Sequence, residues 1–164
     1  MNDFKTIAIF GLATVLILGG GVWLVMRNQP VQIASNQGAV LGVGEQAFDW
    51  GTIQLNGGEV TRSFEIENKG DSQLQIANLK TSCMCTKARL VVESEAGPWF
   101  AMHSQSQWIG KVPPGKKAQV EVVFDPAFHG PSGVGAISRT VTMQTNDPNR
   151  SSLEFRLSAN VVNQ

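Results

Sequence analysis

Residues 153–161 read Leu-Glu-Phe-Arg-Leu-Ser-Ala-Asn-Val, and this stretch decides the fold. Its odd-numbered positions are apolar and its even-numbered positions are polar. Successive side chains of a β-strand point to opposite faces of a sheet, so this period of two predicts a strand with one buried face and one wet face. Such alternation is typical of antiparallel sheets that cover a core with one face only.

The same alternation recurs through most of the chain beyond residue 45. Turn-forming segments rich in Gly, Asn and Pro separate the runs at residues 56–58, 68–71, 113–115 and 146–149. The sequence therefore predicts strands near residues 46–55, 60–68, 73–80, 86–92, 117–125, 136–146 and 152–162. Seven short strands with these separators predict an all-β protein, an Ig-like antiparallel β-sandwich.

An uncharged run of 21 residues, Thr6–Met26, precedes this domain. As a helix it spans about 30 Å, which is the thickness of a bilayer core. Lys5 and Arg27 flank the run, and Trp23 lies near one end of it, where an interfacial ring is favourable. The alternative, a cleaved signal peptide, normally has a shorter apolar region and a small-residue cleavage site. We expect an uncleaved transmembrane anchor.

The predicted organisation has three parts. Residues 1–27 form the anchor, residues 28–45 form a small, polar linker, and residues 46–164 form the sandwich. The weak charge bias around the anchor favours a cytoplasmic N-terminus, which predicts a single-pass protein of the cell membrane with its C-terminal domain outside the cytoplasm.

Charge and motifs limit the function classes. The chain has 13 Lys/Arg and 13 Asp/Glu, of which Lys5, Arg27 and Asp3 precede residue 28. No basic patch results, so we expect no nucleic-acid partner. The sequence also lacks a Cys-x-x-Cys motif, a Gly-x-Ser-x-Gly elbow and a phosphate-binding Gly loop. These observations predict a protein that is not an enzyme.

Several motifs in order resemble a known family. They are F-D-W-G-T-I (48–53), F-E-I-E-N-K-G (64–70), T-S-C-M-C-T (81–86), P-P-G (113–115) and T-N-D-P (145–148). Together they resemble the bacterial family called domain of unknown function 1573. The resemblance implies an Ig-like domain related to Hydin and PapD-type sandwiches, usually secreted or anchored. This chain differs at Met84, where the family usually has Gly, and in an insert at residues 93–111.

Cys83 and Cys85 are the only cysteines in the chain. In an extended segment residues i and i+2 point to the same side, so the two sulfurs converge. Three interpretations remain open at this point. The pair is a small-ring disulfide that is easily reduced, a soft-metal site, or two small buried apolar residues.

Other soft donors extend the metal hypothesis. The chain has two histidines, His103 directly after Met102 in the insert, and His129 in a Gly/Pro-rich loop. If both loops meet the Cys-x-Cys end, the site has the donors Cys83, Cys85, Met102, His103 and His129. This set favours Cu(I) over zinc, because the spacing matches no zinc-finger pattern.

The insert also carries three aromatic residues, Trp99, Phe100 and Trp108. Aromatic residues in a loop are candidates for partner contacts, and we expect at least one ring to lie over the Cys-x-Cys end. Two hypotheses follow. The favoured one is a non-enzymatic, membrane-anchored interaction module or accessory subunit that binds another envelope or membrane-complex protein. The alternative is a copper-binding or thiol-redox accessory protein.

Overall fold

The computed structural model describes residues 2–27 and 30–163, which fall into two compact units divided between residues 30 and 31. The first unit is the helix α1, Asn2–Arg27. Its segment Phe4–Leu24 is long and apolar enough to cross a membrane, and none of it is buried within the protein. The predicted N-terminal apolar helix is confirmed, as a segment that fits either a membrane span or a signal sequence.

The second unit is a β-sandwich of two five-stranded sheets. Its strands are β1 Leu41–Val43, β2 Ala47–Gln54, β3 Val60–Asn68, β4 Leu74–Thr81, β5 Thr86–Val92, β6 Glu95–Ala96, β7 Ile109–Val112, β8 Lys117–Phe124, β9 Gly135–Thr145 and β10 Ser152–Val162. A 3₁₀ segment, Pro126–Gly133, connects β8 to β9.

The strand order is β1-β3-β8-β5-β6 in the first sheet and β2-β10-β9-β4-β7 in the second. The chain changes sheet seven times along these ten strands, and three of the changes, from β2 to β3, from β4 to β5 and from β8 to β9, bear on the site described below. Neighbouring strands within the sheets are antiparallel, except that β2 lies parallel to β10. The Ig-like sandwich is confirmed, although its second sheet is mixed rather than purely antiparallel.

All seven predicted strands are present, and three short strands were missed. β1, β6 and β7 have 3, 2 and 4 residues, too few for alternation to be recognised. β1 also corrects the predicted linker at residues 28–45. Ala39 and Leu41 are buried in the core, and β1 pairs with β3. The sandwich therefore begins before residue 46, because two apolar side chains in this stretch fill the core.

The core lies between the inner faces of the two sheets. Phe64 of β3 and Phe155 of β10 stack across it with ring centroids 4.4 Å apart. Leu153, Phe155 and Leu157 are all buried, whereas Glu154 and Arg156 are exposed, as the alternation predicts. Burial of one face in this way is the main stabilising contribution to such a sheet.

Three buried polar side chains explain the Asn-Lys-Gly and Thr-Asn-Asp-Pro motifs. The Asn68 amide donates to the carbonyl oxygens of Ser72 and Val112, at 2.8 and 2.9 Å. Asn146 accepts from the backbone of β4, and the Asp147 carboxylate accepts from the backbone N–H of Leu41 at 2.8 Å. These side chains satisfy backbone groups that no strand pairs, so they close the sandwich at its turns.

The first part of the insert at residues 93–111 folds back onto the first sheet, and its last residues enter β7 of the second sheet. Glu93 and Ser94 form a two-residue turn into β6, and Phe100 then exchanges two backbone hydrogen bonds of 2.8 Å with Ala88 of β5. The Phe100 side chain is only 5% exposed, and Trp108 packs against the same core. Most of the insert is therefore part of the sandwich edge.

Candidate functional site

The Cys-x-Cys segment forms a tight turn between β4 and β5, at one end of the sandwich. The backbone N–H of Thr86 donates to the carbonyl oxygen of Cys83 at 3.2 Å. The buried Thr81 hydroxyl lies 2.9 Å from the Cys83 carbonyl oxygen and 2.8 Å from that of Thr86. Ser82 exchanges hydrogen bonds with the backbone of Thr140 in β9. The turn is held on both sides, so its sulfurs have a defined position.

Cys83 and Cys85 form a disulfide, with their Cα atoms 5.3 Å apart. Of the three interpretations left open by the sequence, the structure therefore has the oxidised pair. The two cysteines are separated by a single residue, so the bond restricts the unfolded chain very little and contributes little stability. A chemical role fits this bond better than a structural one.

The two sulfurs have different surroundings. Cys85 is 3% exposed and packs in a small apolar cluster with Leu55, Phe124 and Val161. Cys83 is only partly buried at the rim of this cluster. The Trp50 ring stacks on Phe124 with centroids 5.8 Å apart and extends the apolar floor. Cys83 is therefore accessible to solvent, whereas Cys85 is largely shielded from it.

His129 reaches Cys83 from the 3₁₀ segment. Asp125 caps this segment by accepting from the Ala127 N–H at 2.9 Å, and its own N–H donates to the Cys85 carbonyl oxygen at 2.9 Å. His129 Nε2 consequently lies 3.3 Å from Cys83 Sγ. The two sulfurs and an imidazole nitrogen all lie within 4.8 Å of one another.

Arg139 of β9 reaches the other sulfur. Its Nε donates to Cys85 Sγ at 3.1 Å, and its guanidinium lies 5.7 Å from the centre of the Phe124 ring. Burial lowers the pKa of Arg139, but a guanidinium stays charged at any physiological pH. No pattern in the sequence points to this residue, because only the pairing of β9 with β4 brings position 139 to the Cys-x-Cys turn.

Met102 and His103 lie in a separate turn of the insert. The Ala101 N–H donates to the Ser104 hydroxyl at 2.7 Å, and the Ser104 N–H donates back to the Ala101 carbonyl oxygen at 3.2 Å. Among the described residues, the cluster with metal-binding spacing contains Cys83, Cys85 and His129, and it does not contain His103. Of the five expected donors, Cys83, Cys85 and His129 therefore lie together, whereas Met102 and His103 lie in the turn of the insert.

Rings of the insert lie along β5. Trp99 is 40% exposed, with its ring centroid 4.4 Å from Arg89 Cζ and 5.5 Å from Lys87 Nζ. The rings in the apolar cluster that holds the cysteines are instead those of Trp50 and Phe124. Two exposed apolar side chains, Met84 and Phe128, line a shallow depression beside Cys85.

The arrangement offers two kinds of chemistry. Two thiolates and an imidazole are soft and borderline donors suited to Cu(I), which the reduced pair would supply. The oxidised pair is a disulfide with one accessible sulfur, which thiols can attack. Both depend on the two cysteines. His129 adds the third donor for Cu(I), and Arg139 adds a charged hydrogen-bond donor to the sulfur of Cys85.

Solved structures with a similar fold place the chain in the class of Ig-like, PapD-like sandwiches. A protein of unknown function from Porphyromonas gingivalis W83 is 20% identical with a TM-score of 0.56, over 78% of this chain and 49% of that one. The human PapD-like domain 7 of CEP192 is 15% identical with a TM-score of 0.50, over 83% and 93%. A family 123 glycoside hydrolase from Clostridium perfringens is 14% identical with a TM-score of 0.50, over 77% and 28%. These identities show a common fold only, and this chain spans about half of the P. gingivalis protein.

Within that class, residues 41–96 match the family described as Protein of unknown function (DUF1573). The match covers about a third of the chain, from β1 to β6, and includes the Cys-x-Cys turn. It confirms the resemblance drawn from the ordered motifs. No curated protein matches the chain.

Proposed function

We propose that this chain is a membrane-tethered, extracytoplasmic Ig-like module that binds another envelope or membrane-complex protein as a non-enzymatic accessory subunit. The observation that carries the proposal is the exposed indole of Trp99, which is 40% exposed although the next residue, Phe100, is bridged to Ala88 of β5. Tryptophan and arginine dominate the energetics of protein interfaces, and here they occur together.

Neighbouring side chains fix the position of the Trp99 ring. Arg89 and Lys87 lie against its ring, and Arg89 is itself paired with Glu121 of β8. The neighbouring Phe100 is fixed by two backbone hydrogen bonds and by burial. A partner that covers Trp99 therefore meets a ring whose position is already set, which lowers the entropy cost of binding. Because Phe100 and Trp108 are packed against the core, we assign the contact to Trp99.

Two features support display outside the cytoplasm. The helix α1 carries an apolar segment that can hold the chain at a membrane. The cysteines form a disulfide, and disulfides persist mainly in oxidising compartments outside the cytoplasm. Both features are independent of the Trp99 surface.

Photo-crosslinking in intact membranes tests the interaction. A photo-reactive residue replaces Ala96, which is exposed on β6 three residues before Trp99. We expect a discrete adduct with one membrane or envelope protein, and its loss when Trp99→Ala is added. The matched control replaces Thr52, exposed on β2 in the other sheet, and should give no adduct. The same adducts from both positions, or an adduct unaffected by Trp99→Ala, would contradict the proposal.

The second candidate function is Cu(I) binding by the reduced site. The observation that favours it is the convergence of Cys83 Sγ, Cys85 Sγ and an imidazole nitrogen of His129 within 4.8 Å. A thiolate pair binds a soft cation far more tightly than either thiol alone, because the second sulfur is already in place when the first binds. Zinc remains the weaker alternative for three donors of this kind.

Copper binding is measured on the full-length chain in detergent, reduced and handled without air, by competition with a chromogenic Cu(I) chelator. We expect about one Cu(I) per chain, consistent with one cluster. The oxidised wild-type chain is the control and should bind none. Cys83→Ser should abolish binding and leave the sandwich folded, because the disulfide closes almost no loop. Unfolding of that variant, or no uptake by the reduced wild type, would overturn the metal function.

A further inference from the structure

We infer that the Cys83–Cys85 disulfide exchanges with thiols of another protein, with Cys83 as the sulfur that is attacked and Cys85 as the sulfur that leaves. The inference does not depend on copper or on the Trp99 surface. It rests on the asymmetry between the sulfurs, of which one is partly exposed beside His129 and the other is 3% exposed beside Arg139.

Access decides which sulfur is attacked. A thiolate must approach one sulfur in line with the bond to the other, so the accessible sulfur reacts and the shielded one departs. Cys85 packs in the apolar cluster with Leu55, Phe124 and Val161, which leaves it only 3% exposed. Cys83 lies at the rim of that cluster. The exposed Met84 and Phe128 next to the turn offer apolar surface for the segment that carries the incoming thiol.

Arg139 decides which sulfur leaves. Sulfur departs with the electron pair of the broken bond, and a leaving thiolate is favoured by a charge-assisted hydrogen bond. Arg139 Nε already donates to Cys85 Sγ at 3.1 Å in the disulfide form. The guanidinium therefore stabilises negative charge on Cys85 as soon as it forms, and it does so in a largely dry position, where such an interaction is strong.

The exchange balances in two steps. A substrate thiolate forms a bond to Cys83 Sγ, the Cys83–Cys85 bond breaks, and its electron pair passes to Cys85 as a thiolate held by Arg139. A second thiolate of the same dithiol then attacks the substrate sulfur of the mixed disulfide and releases Cys83 as a thiolate. The dithiol protein is oxidised to a disulfide by two electrons, and the Cys83–Cys85 pair is reduced by two.

The first step is tested on the oxidised full-length chain in detergent, with glutathione as the probe. The reaction is quenched with an alkylating agent, and the modified peptide is fragmented between positions 83 and 85. We expect the glutathione adduct on Cys83 and the alkyl group on Cys85, with a preference of at least about tenfold. Equal labelling, or glutathione mainly on Cys85, would overturn the assignment.

The role of Arg139 is tested by the rate of the same reaction. Arg139→Gln should slow formation of the mixed disulfide about tenfold and reduce the preference for Cys83, because the leaving thiolate loses its charged partner. Arg139→Lys should restore part of the rate, which a purely structural loss would not allow. The matched control is Arg156→Gln on β10, an exposed arginine paired with Glu154, and it should leave the rate unchanged.

Thermal unfolding of each variant shows whether the sandwich is retained. Folded Arg139→Gln protein with the wild-type rate and preference would overturn the role of Arg139. The copper measurement uses the wild-type chain and Cys83→Ser, so its outcome does not depend on the Arg139 variants. A chain that exchanges thiols but binds no Cu(I) would refute the metal function alone.

Discussion

The pair of cysteines shows how two identical residues one position apart acquire different chemistry. Cys85 follows the exposed Met84 in the turn and enters the apolar cluster, where Arg139 meets its sulfur. Cys83 remains at the rim and meets His129. The local sequence does not explain the difference, because it is nearly symmetric, with Thr and Ser before the Cys-x-Cys pair and Thr after it. The difference comes from the side chains that β9 and the 3₁₀ segment bring to the turn.

At the residue scale, the two histidines give a matched comparison for copper. His129→Ala should weaken Cu(I) binding by the reduced chain at least about tenfold, since even outer-shell losses have that effect. His103→Ala should leave affinity unchanged, because His103 lies outside the cluster. Competition with a Cu(I) chelator measures both. Equal weakening by the two substitutions would show that the insert does reach the metal.

Thr81 provides a second residue-scale prediction, on stability. Its buried hydroxyl is the partner of two carbonyl oxygens in the turn, at 2.9 and 2.8 Å. Thr81→Val keeps the shape of the side chain but leaves those buried acceptors without it, so the free energy of unfolding should fall by about 1–3 kcal/mol. Urea unfolding of the chain in detergent measures the change. Thr61→Val, on the exposed face of β3, is the control and should have little effect.

At the element scale, two turns shape the sandwich edge that carries the insert. Between β5 and β6, Glu93 and Ser94 have φ angles of 47° and 75°, the two positive values of a type I′ hairpin turn. Before β8, Pro113-Pro114-Gly115-Lys116 has its i+2 residue, Gly115, at φ 71°. The Lys116 N–H donates to the Pro113 carbonyl oxygen at 3.1 Å, which gives a type II turn.

The hairpin turn predicts a stabilising substitution. A residue other than Gly in the left-handed conformation destabilises the fold by about 1–2 kcal/mol. Replacing it with Gly removes this strain, but the greater flexibility of Gly in the unfolded chain offsets about 0.5–1 kcal/mol of the gain. Ser94→Gly should therefore raise the free energy of unfolding by up to about 1 kcal/mol. Urea unfolding in detergent is the measurement. A decrease would show that Ser94 makes a contact that outweighs its backbone conformation.

The opposite change at the second turn is the matched control. Gly115→Ala meets open space, so only the positive φ opposes the new methyl group. The free energy of unfolding should fall by about 1 kcal/mol. If both substitutions acted in the same direction, backbone conformation would not be the cause of either effect.

At the scale of the whole molecule, the chain joins an apolar helix to a sandwich with one chemically distinctive end. The Cys-x-Cys turn, the 3₁₀ segment and the start of β9 converge there because the chain crosses between the sheets three times at that end, from β2 to β3, from β4 to β5 and from β8 to β9. Turns that cross between sheets bring residues from both layers together. Disulfides persist mainly in oxidising compartments, so this one supports the proposed display of the domain outside the cytoplasm.

Membrane topology is the prediction that belongs to this scale. With residues 31–163 outside the cytoplasm, an alkaline phosphatase fused after Gln164 should be active, because it needs an oxidising compartment, and a reporter that works only in the cytoplasm should be inactive. The phosphatase fusion lacking residues 1–30 is the control and should lose its activity. An active cytoplasmic reporter on the full-length chain would reverse the orientation.

Local patterns in the sequence were sufficient to predict the helix and the seven longer strands. Side-chain alternation and the length of an uncharged run are properties of neighbouring residues, and they do not depend on how the rest of the chain folds. Cys83 and Cys85 do converge, but in a tight turn rather than in the extended segment from which their convergence was predicted. The boundary near residue 46 was wrong because β1 has three residues and is defined by its pairing with β3 and by the Asp147 hydrogen bond, neither of which is local.

The composition of the site was decided by tertiary structure. His129 could be suspected from its residue type and loop, but its contact with Cys83 depends on the 3₁₀ segment after β8. Arg139 had no local signal, since an arginine in a strand normally faces solvent. Trp50 joined the cysteine cluster only through its stacking on Phe124. Sequence by itself determined which residues are chemically able to act, whereas the crossing of the chain between two sheets decided which of them meet, because those contacts join residues far apart along the chain.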